Sequence, residues 1–168
     1  MVIGIGGISN AGKSTLASKL KNLYDTKKVA ILCQDDYVFP KDKIPLINDH
    51  IDWERPESID FKRYYEVVQN SILNNDIVII EGIFAFHDQK VVDMMDKKIF
   101  LTLDQKFFFM RKSNDLRWGK EPDWYMEHIW DSHIKYRNGG IPKDAMVLRG
   151  GREINIEEMQ TFLNTDEK

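Results

Sequence analysis

One cysteine, Cys33, stands in a chain of 168 residues. No intrachain disulfide framework can form, which fits a reducing compartment and an expected cytoplasmic location. Cys33 itself lies in an apolar run and reads as a small buried hydrophobe. Basic residues are not in excess. The 24 Lys and Arg against 27 Asp and Glu leave a formal charge of -3. A general nucleic-acid binder needs a basic face, so nucleic acid is not an expected partner. A local basic pocket for a small anion stays open. No apolar run approaches the roughly 20 residues of a membrane span, so no membrane is expected either. The opening "MVIGIGGISNAGKS" is broken by glycines and lacks a basic region before a long apolar stretch, unlike a signal peptide. Internal repeats, low-complexity tracts and linker-like stretches are also missing. One domain over residues 1–168 is expected, since the length suits a single core and not two.

What the chain does have is strands alternating with helices. "MVIGI" reads as a short buried strand before a glycine-rich turn. "KSTLASKLKNLY" places Leu16, Leu20 and Leu23 at helical spacing. "KKVAILC" is a second strand. Residues 37–56 hold Pro40, Pro45 and Pro56 and no clear period. At about twenty residues this segment is longer than a usual connector and reads as a functional loop. "SIDFKRYYEVVQNSIL" is a helix with Ser58 as its expected cap. "DIVIIEG" is a continuous β-branched run suited to a parallel strand covered on both faces. "KKIFLTL" and "AMVLRG" are further strands. "DQKFFFMRKSNDLRW", with cap-competent Asp104, "EPDWYMEHIWDSHIKYR" and "NIEEMQTFL" are helices. The expected fold is α/β: a three-layer nucleoside triphosphate-binding domain around a five-stranded parallel sheet.

"GISNAGKS" fits the G-x-x-x-x-G-K-[ST] phosphate loop, between an expected strand and an expected helix. Gly7 and Gly12 let the backbone curl. The backbone of Ser9, Asn10 and Ala11 can then turn its amides into one anion-sized hollow, at the positive end of a helix that opens with Lys13, Ser14 and Thr15. Lys13 brings a charge to the β- and γ-phosphates, and the Ser14 hydroxyl is a Mg²⁺ ligand. ATP and Mg²⁺ are the expected cofactors.

In such sheets ligands sit beyond the C-terminal strand ends. Asp35 and Asp36 end the second strand, and Glu81 ends "IVII". Adjacent residues of an extended segment point differently, so one aspartate of the pair faces the reaction. Asp35 is the candidate for orienting and deprotonating an acceptor hydroxyl, with Asp36 in a turn or binding through water. Glu81 is the candidate for the Mg²⁺ shell, or for a share of the base role. Asp52 can accept from a sugar diol, and Trp53 either packs on a base or anchors the loop. Arg111, Lys112, Arg117 and Lys120 form a basic cluster that can neutralise charge on a transferring phosphoryl group and close over it, a lid at about 111–123. Tyr37, Phe39, Trp118, Trp124 and Tyr125 are candidates for stacking on a flat base. His50, His128 and His133 read as structural.

"GISNAGKSTLA", "QDDYVFP", "DW…PESID", "IIEGIFAF" and "HIWDSHIKYR" together resemble the nicotinamide riboside kinases, within the uridine kinase-like group of P-loop kinases. The resemblance runs from Ile3 to about Leu163. It implies ATP-dependent phosphorylation of the 5′-hydroxyl of nicotinamide riboside, with Asp35 as catalytic aspartate and Asp52 on the ribose hydroxyls. Residues 37–56 would bind the acceptor. Glu81 would match the strand-end glutamate, and Arg111 and Arg117 the lid. Two positions depart from the pattern. Ile51 replaces the aromatic residue that often precedes the ribose-binding aspartate, and Met126 replaces an acidic residue. Uridine or cytidine kinase, a kinase of another small alcohol, and a nucleotide-dependent switch are the alternatives. Monomer and homodimer are both open.

Overall fold

The computed structural model describes residues 1–117, 119–137 and 141–165. In chain order the elements are β1 (Val2–Gly7), α1 (Lys13–Leu23), β2 (Val29–Cys33), a hairpin of β3 (Leu46–Ile47) and β4 (His50–Ile51), then α2 (Phe61–Asn74) and β5 (Ile77–Gly82). There follow α3 (Gln89–Val92), β6 (Lys97–Thr102), α4 (Gln105–Ser113), α5 (Asp123–Arg137), β7 (Met146–Arg149) and α6 (Ile156–Asn164). The main sheet has five strands in the order β2-β5-β1-β6-β7. Every pairing in it is parallel.

Alternation along the strands divides the core into two. Ile3, Ile5, Ile79 and Ile99 meet Leu16 and Leu20 of α1, Phe108, Ile129 and Met159 on one face. Val2, Val78 and Ile80 meet Tyr64 and Val68 of α2 and Val91 on the other. The layered α/β expectation therefore holds, with β1 central. Its neighbour β5 places Glu81 level with Ile5 on one side and Cys33 on the other. The half-buried Cys33 thiol is pushed up to about 12, by burial first and then by Glu81 and Asp35. Such a thiol stays protonated and unreactive.

Some local expectations are corrected. Asp60, not Ser58, caps α2, its side chain accepting from the Arg63 amide at 3.1 Å. Ser58 is buried one turn earlier and donates to the Arg55 and Trp53 carbonyls. The helix α4 ends at Ser113 instead of continuing to Trp118. Asp104 precedes that helix but makes no cap bond and pairs with Arg149. Residues 37–56 are not wholly irregular, because β3 and β4 form an antiparallel hairpin there.

Candidate active site

The phosphate loop joins β1 to α1 as the spacing requires. Gly7 and Gly12 have φ of 143° and 103°, a region that costs other residues strain. Asn10 shares it at 61°. The Ala11 amide donates to the Ile8 carbonyl at 3.2 Å, and Lys13 Nζ donates to the same oxygen at 3.1 Å. Ser14 Oγ donates to Glu81 Oε1 at 2.7 Å. Glu81 is 3% exposed. A hydroxyl and a carboxylate at the mouth of a phosphate loop are oxygen donors of the kind Mg²⁺ takes alongside phosphate and water. Thr15 is exposed in the first turn of α1.

Asp35 and Asp36 lie in a short 3-10 turn, Gln34–Tyr37, that ends β2. The buried Gln34 side chain holds this turn against β5. Its Oε1 accepts from the Phe84 amide at 2.9 Å. A Cβ on Gly82 would collide with Gln34, so only glycine admits this approach. Asp35 is accessible at the surface, yet its carboxyl is raised above the ordinary value. Desolvation by the atoms packed around it is the main cause. Lys13 acts against it, Glu81 and Asp36 add to it, and Arg117 opposes it. Four separate segments thus bring charge to this one group. Asp36 is exposed. Tyr37 packs on Tyr64 at 5.1 Å, with the Arg63 guanidinium 5.5 Å from its ring.

Asp52, the sequence candidate for the sugar diol, is engaged with α5. It is 3% exposed, and its Oδ1 sits 2.7 Å from His128 Nε2. Tyr125 donates to the Ile51 carbonyl at 3.1 Å, and His50 packs on Trp124 and Tyr125. Asp52, His50 and Trp124 thereby dock the hairpin on α5. Trp53 is half-buried, its carbonyl accepting from Ser58. Trp118 lies outside the described residues.

Glu54 is a further carboxylate here, one the sequence reading did not single out. With Ser9, Phe84, His87, Phe100 and Tyr136 it lines a cavity of about 380 Å³ beside the phosphate loop. Its carboxyl is raised to about 7, chiefly by burial. Lys112 and Lys13 draw it down, while Asp35 and Asp52 push it up. A signal was present: Trp53–Glu54 has the aromatic-then-acid order that Ile51–Asp52 lacks.

The basic residues after β6 divide in their contacts. Arg111 Nη1 donates to the Asn10 carbonyl at 3.0 Å. Arg117 is forked onto Asp115 at 2.8 and 2.6 Å. Lys112 is buried, with Glu121 at 3.8 Å. Lys120 is exposed.

The sequence pattern of the phosphoribulokinase / uridine kinase family matches residues 69–117. Nicotinamide riboside kinase 2 of Mus musculus is 26% identical over 157 residues, 82% of this chain and 80% of that protein. A uridine kinase of Chlamydia pneumoniae is 30% identical over 138 residues, 67% of this chain and 62% of its own length. Among solved structures, a possible uridine kinase from Bacillus stearothermophilus superposes with a TM-score of 0.61 at 18% identity, covering 88% of each chain. In sequence the chain is similar to nicotinamide riboside and uridine kinases, and in fold to P-loop kinases.

Proposed function

We propose that the chain transfers the γ-phosphoryl group of ATP to the 5′-hydroxyl of a riboside, with nicotinamide riboside as the leading acceptor. The position of Asp35 carries this reading. Its charge interacts with those of Lys13 and Glu81 and with that of Glu54, which lines the cavity. An acceptor hydroxyl at Asp35 would lose its proton to that carboxylate as its oxygen attacks the γ-phosphorus. The bond from that phosphorus to the β–γ bridging oxygen breaks in the same displacement. Lys13 and Arg117 would meet the charge on the phosphate oxygens. Ser14 and Glu81 would hold Mg²⁺, which supplies further neutralisation. Residues 37–56 would shape the acceptor side, and residues 111–123 would cover the triphosphate.

Glu54, in place of Asp52, is assigned to the ribose diol. A pyridinium base carries positive charge and suits aromatic faces with a carboxylate nearby. The cavity offers Phe84, Phe100, Tyr136 and Glu54. The product would be nicotinamide mononucleotide, a precursor for NAD synthesis, made in the cytoplasm. The uridine kinase among the relatives supports uridine as the second reading. Initial rates across a panel of ribosides with ATP decide between them. Nicotinamide riboside is expected to give the highest kcat/KM. A preference for uridine selects the second reading, and no turnover of any riboside defeats both.

Glu54→Gln is expected to raise the riboside KM roughly tenfold to a hundredfold, the loss of a hydrogen bond to a charged group. In the unmodified chain riboside affinity should weaken as pH falls below about 7, where Glu54 takes up its proton. The variant should lose that dependence. Stability runs the other way. A carboxyl raised in the folded state contributes stability at pH values below its unfolded pKa and loses it as pH rises through about 7. Glu54→Gln should therefore melt higher than the parent at pH 8. An unchanged KM with an unchanged pH profile would remove Glu54 from the site.

A further inference from the structure

The polar contacts beyond α4 converge on Asp115. Its Oδ1 accepts from Arg117 Nε at 2.8 Å and from the Arg117 amide at 3.3 Å. Its Oδ2 accepts from Arg117 Nη2 at 2.6 Å and from Asn10 Nδ2 at 3.1 Å. One carboxylate thus grips a guanidinium and a phosphate-loop side chain together. Asn10 is fixed in turn. Ser9 Oγ donates to its Oδ1 at 3.0 Å, and Arg111 Nη1 donates to its carbonyl at 3.0 Å. A single loop residue therefore holds this segment at two points, Arg111 and Asp115.

The two partners differ in exposure. The Asp115 side chain is 8% exposed and that of Arg117 is 70% exposed. Arg117 holds the Asp115 carboxyl well below the usual carboxylate range. An ion pair with so open a guanidinium adds little to folding. Its geometric effect is larger. Guanidinium carries five N–H donors in one plane. The fork spends Nε–H and one Nη2–H, and leaves three donors for oxygen atoms across the cleft. Those donors belong to a guanidinium tied, through Asp115 and Asn10, to the phosphate loop.

We propose that Asp115 is a positioning residue that joins the phosphate loop, through Asn10, to Arg117 and sets that guanidinium against the transferring phosphate. The proposal rests on the phosphotransferase reading. An interaction that tightens as charge develops acts on kcat more than on ground-state binding. Losing Asp115 therefore slows transfer more than it weakens nucleotide binding.

A double-mutant cycle of Asp115→Ala and Arg117→Ala tests this. The readouts are single-turnover transfer to the riboside, acceptor-independent ATP hydrolysis, affinity for a fluorescent ATP analogue, and melting temperature. Asp115→Ala is expected to lower transfer about tenfold or more, with analogue affinity within about threefold of the parent. With Arg117 already replaced, the second substitution should change transfer by less than about twofold. Independent, multiplying losses would overturn the proposal. So would equal losses of affinity and transfer with a lowered melting temperature, or faster transfer in Asp115→Ala. If the unmodified chain turns over no riboside, the kinase reading fails by itself, and the cycle is read in hydrolysis. No hydrolysis in the parent would overturn the Asp115 proposal as well.

Discussion

Asp35→Asn is expected to slow phosphoryl transfer by roughly 10²–10⁴-fold, the usual worth of a positioned general base. Binding of an ATP analogue should hold steady or tighten slightly. The reason is electrostatic. Asp35 lies in the fields of Lys13, Glu81, Asp36 and Arg117, so an anionic phosphate would meet its charge at short range. Asparagine removes that repulsion and keeps the shape. It cannot take the acceptor's proton. The rate of the parent should rise with pH through a carboxyl above the ordinary aspartate value, and the variant should lack that limb. Folding moves in the opposite sense. A carboxyl whose folded pKa is raised contributes stability at low pH and loses it as pH rises through that value. At neutral pH Asp35→Asn should melt as high as the parent or higher. Transfer near the parental rate, with ATP bound, would remove Asp35 from the base role. A lower melting point would assign the carboxylate to folding.

Lys13→Ala should cost roughly 10²–10³-fold in transfer, as expected for one preorganised charge at a developing oxyanion. It should also weaken ATP binding. Lys13 Nζ rests 3.1 Å from the Ile8 carbonyl, inside the turn of the phosphate loop. It also lowers the pKa of both Asp35 and Glu54. Its removal should therefore move the pH dependence of transfer and of riboside affinity upward together. Calorimetry of ATP binding and rates across pH 6–9 read both effects. Parental affinity and turnover would contradict the assignment. Loss of ATP binding with unmoved pH limbs would separate Lys13 from the two carboxylates.

The strand, turn and helix of the phosphate loop were readable from sequence because their parts are local. Gly7 to Ser14 specify their own backbone path, and β-branched runs announce buried parallel strands. Asp35 and Glu81 stand at the ends of β2 and β5, where the sequence puts them. The acceptor half depends on contacts across long stretches of chain. Asp52 and Glu54 are two residues apart and look equivalent in sequence. A histidine on α5, 76 positions from Asp52, draws it into the hairpin dock, and the turn after β4 leaves Glu54 at the cavity. Ser58 and Asp60 were similarly matched as caps. Ser58 spends its hydroxyl on Arg55 and Trp53 carbonyls, so Asp60 takes the helix. The cluster of basic residues after β6 was visible, but its division was not. Asn10 and Asp115 decide which arginine touches the loop backbone and which keeps free donors.

The strand order bears on how such a chain diversifies. The phosphate loop leaves β1, the middle strand, whose neighbours are β5 and β6. A substitution in β1 disturbs both core faces at once, since Ile3 and Ile5 pack on one and Val2 on the other. The hairpin at Leu46–Ile51 stands outside that sheet and is tied to α5 by a few side chains. Substitutions in the hairpin and the facing side of α5 can therefore alter that dock without touching the main sheet.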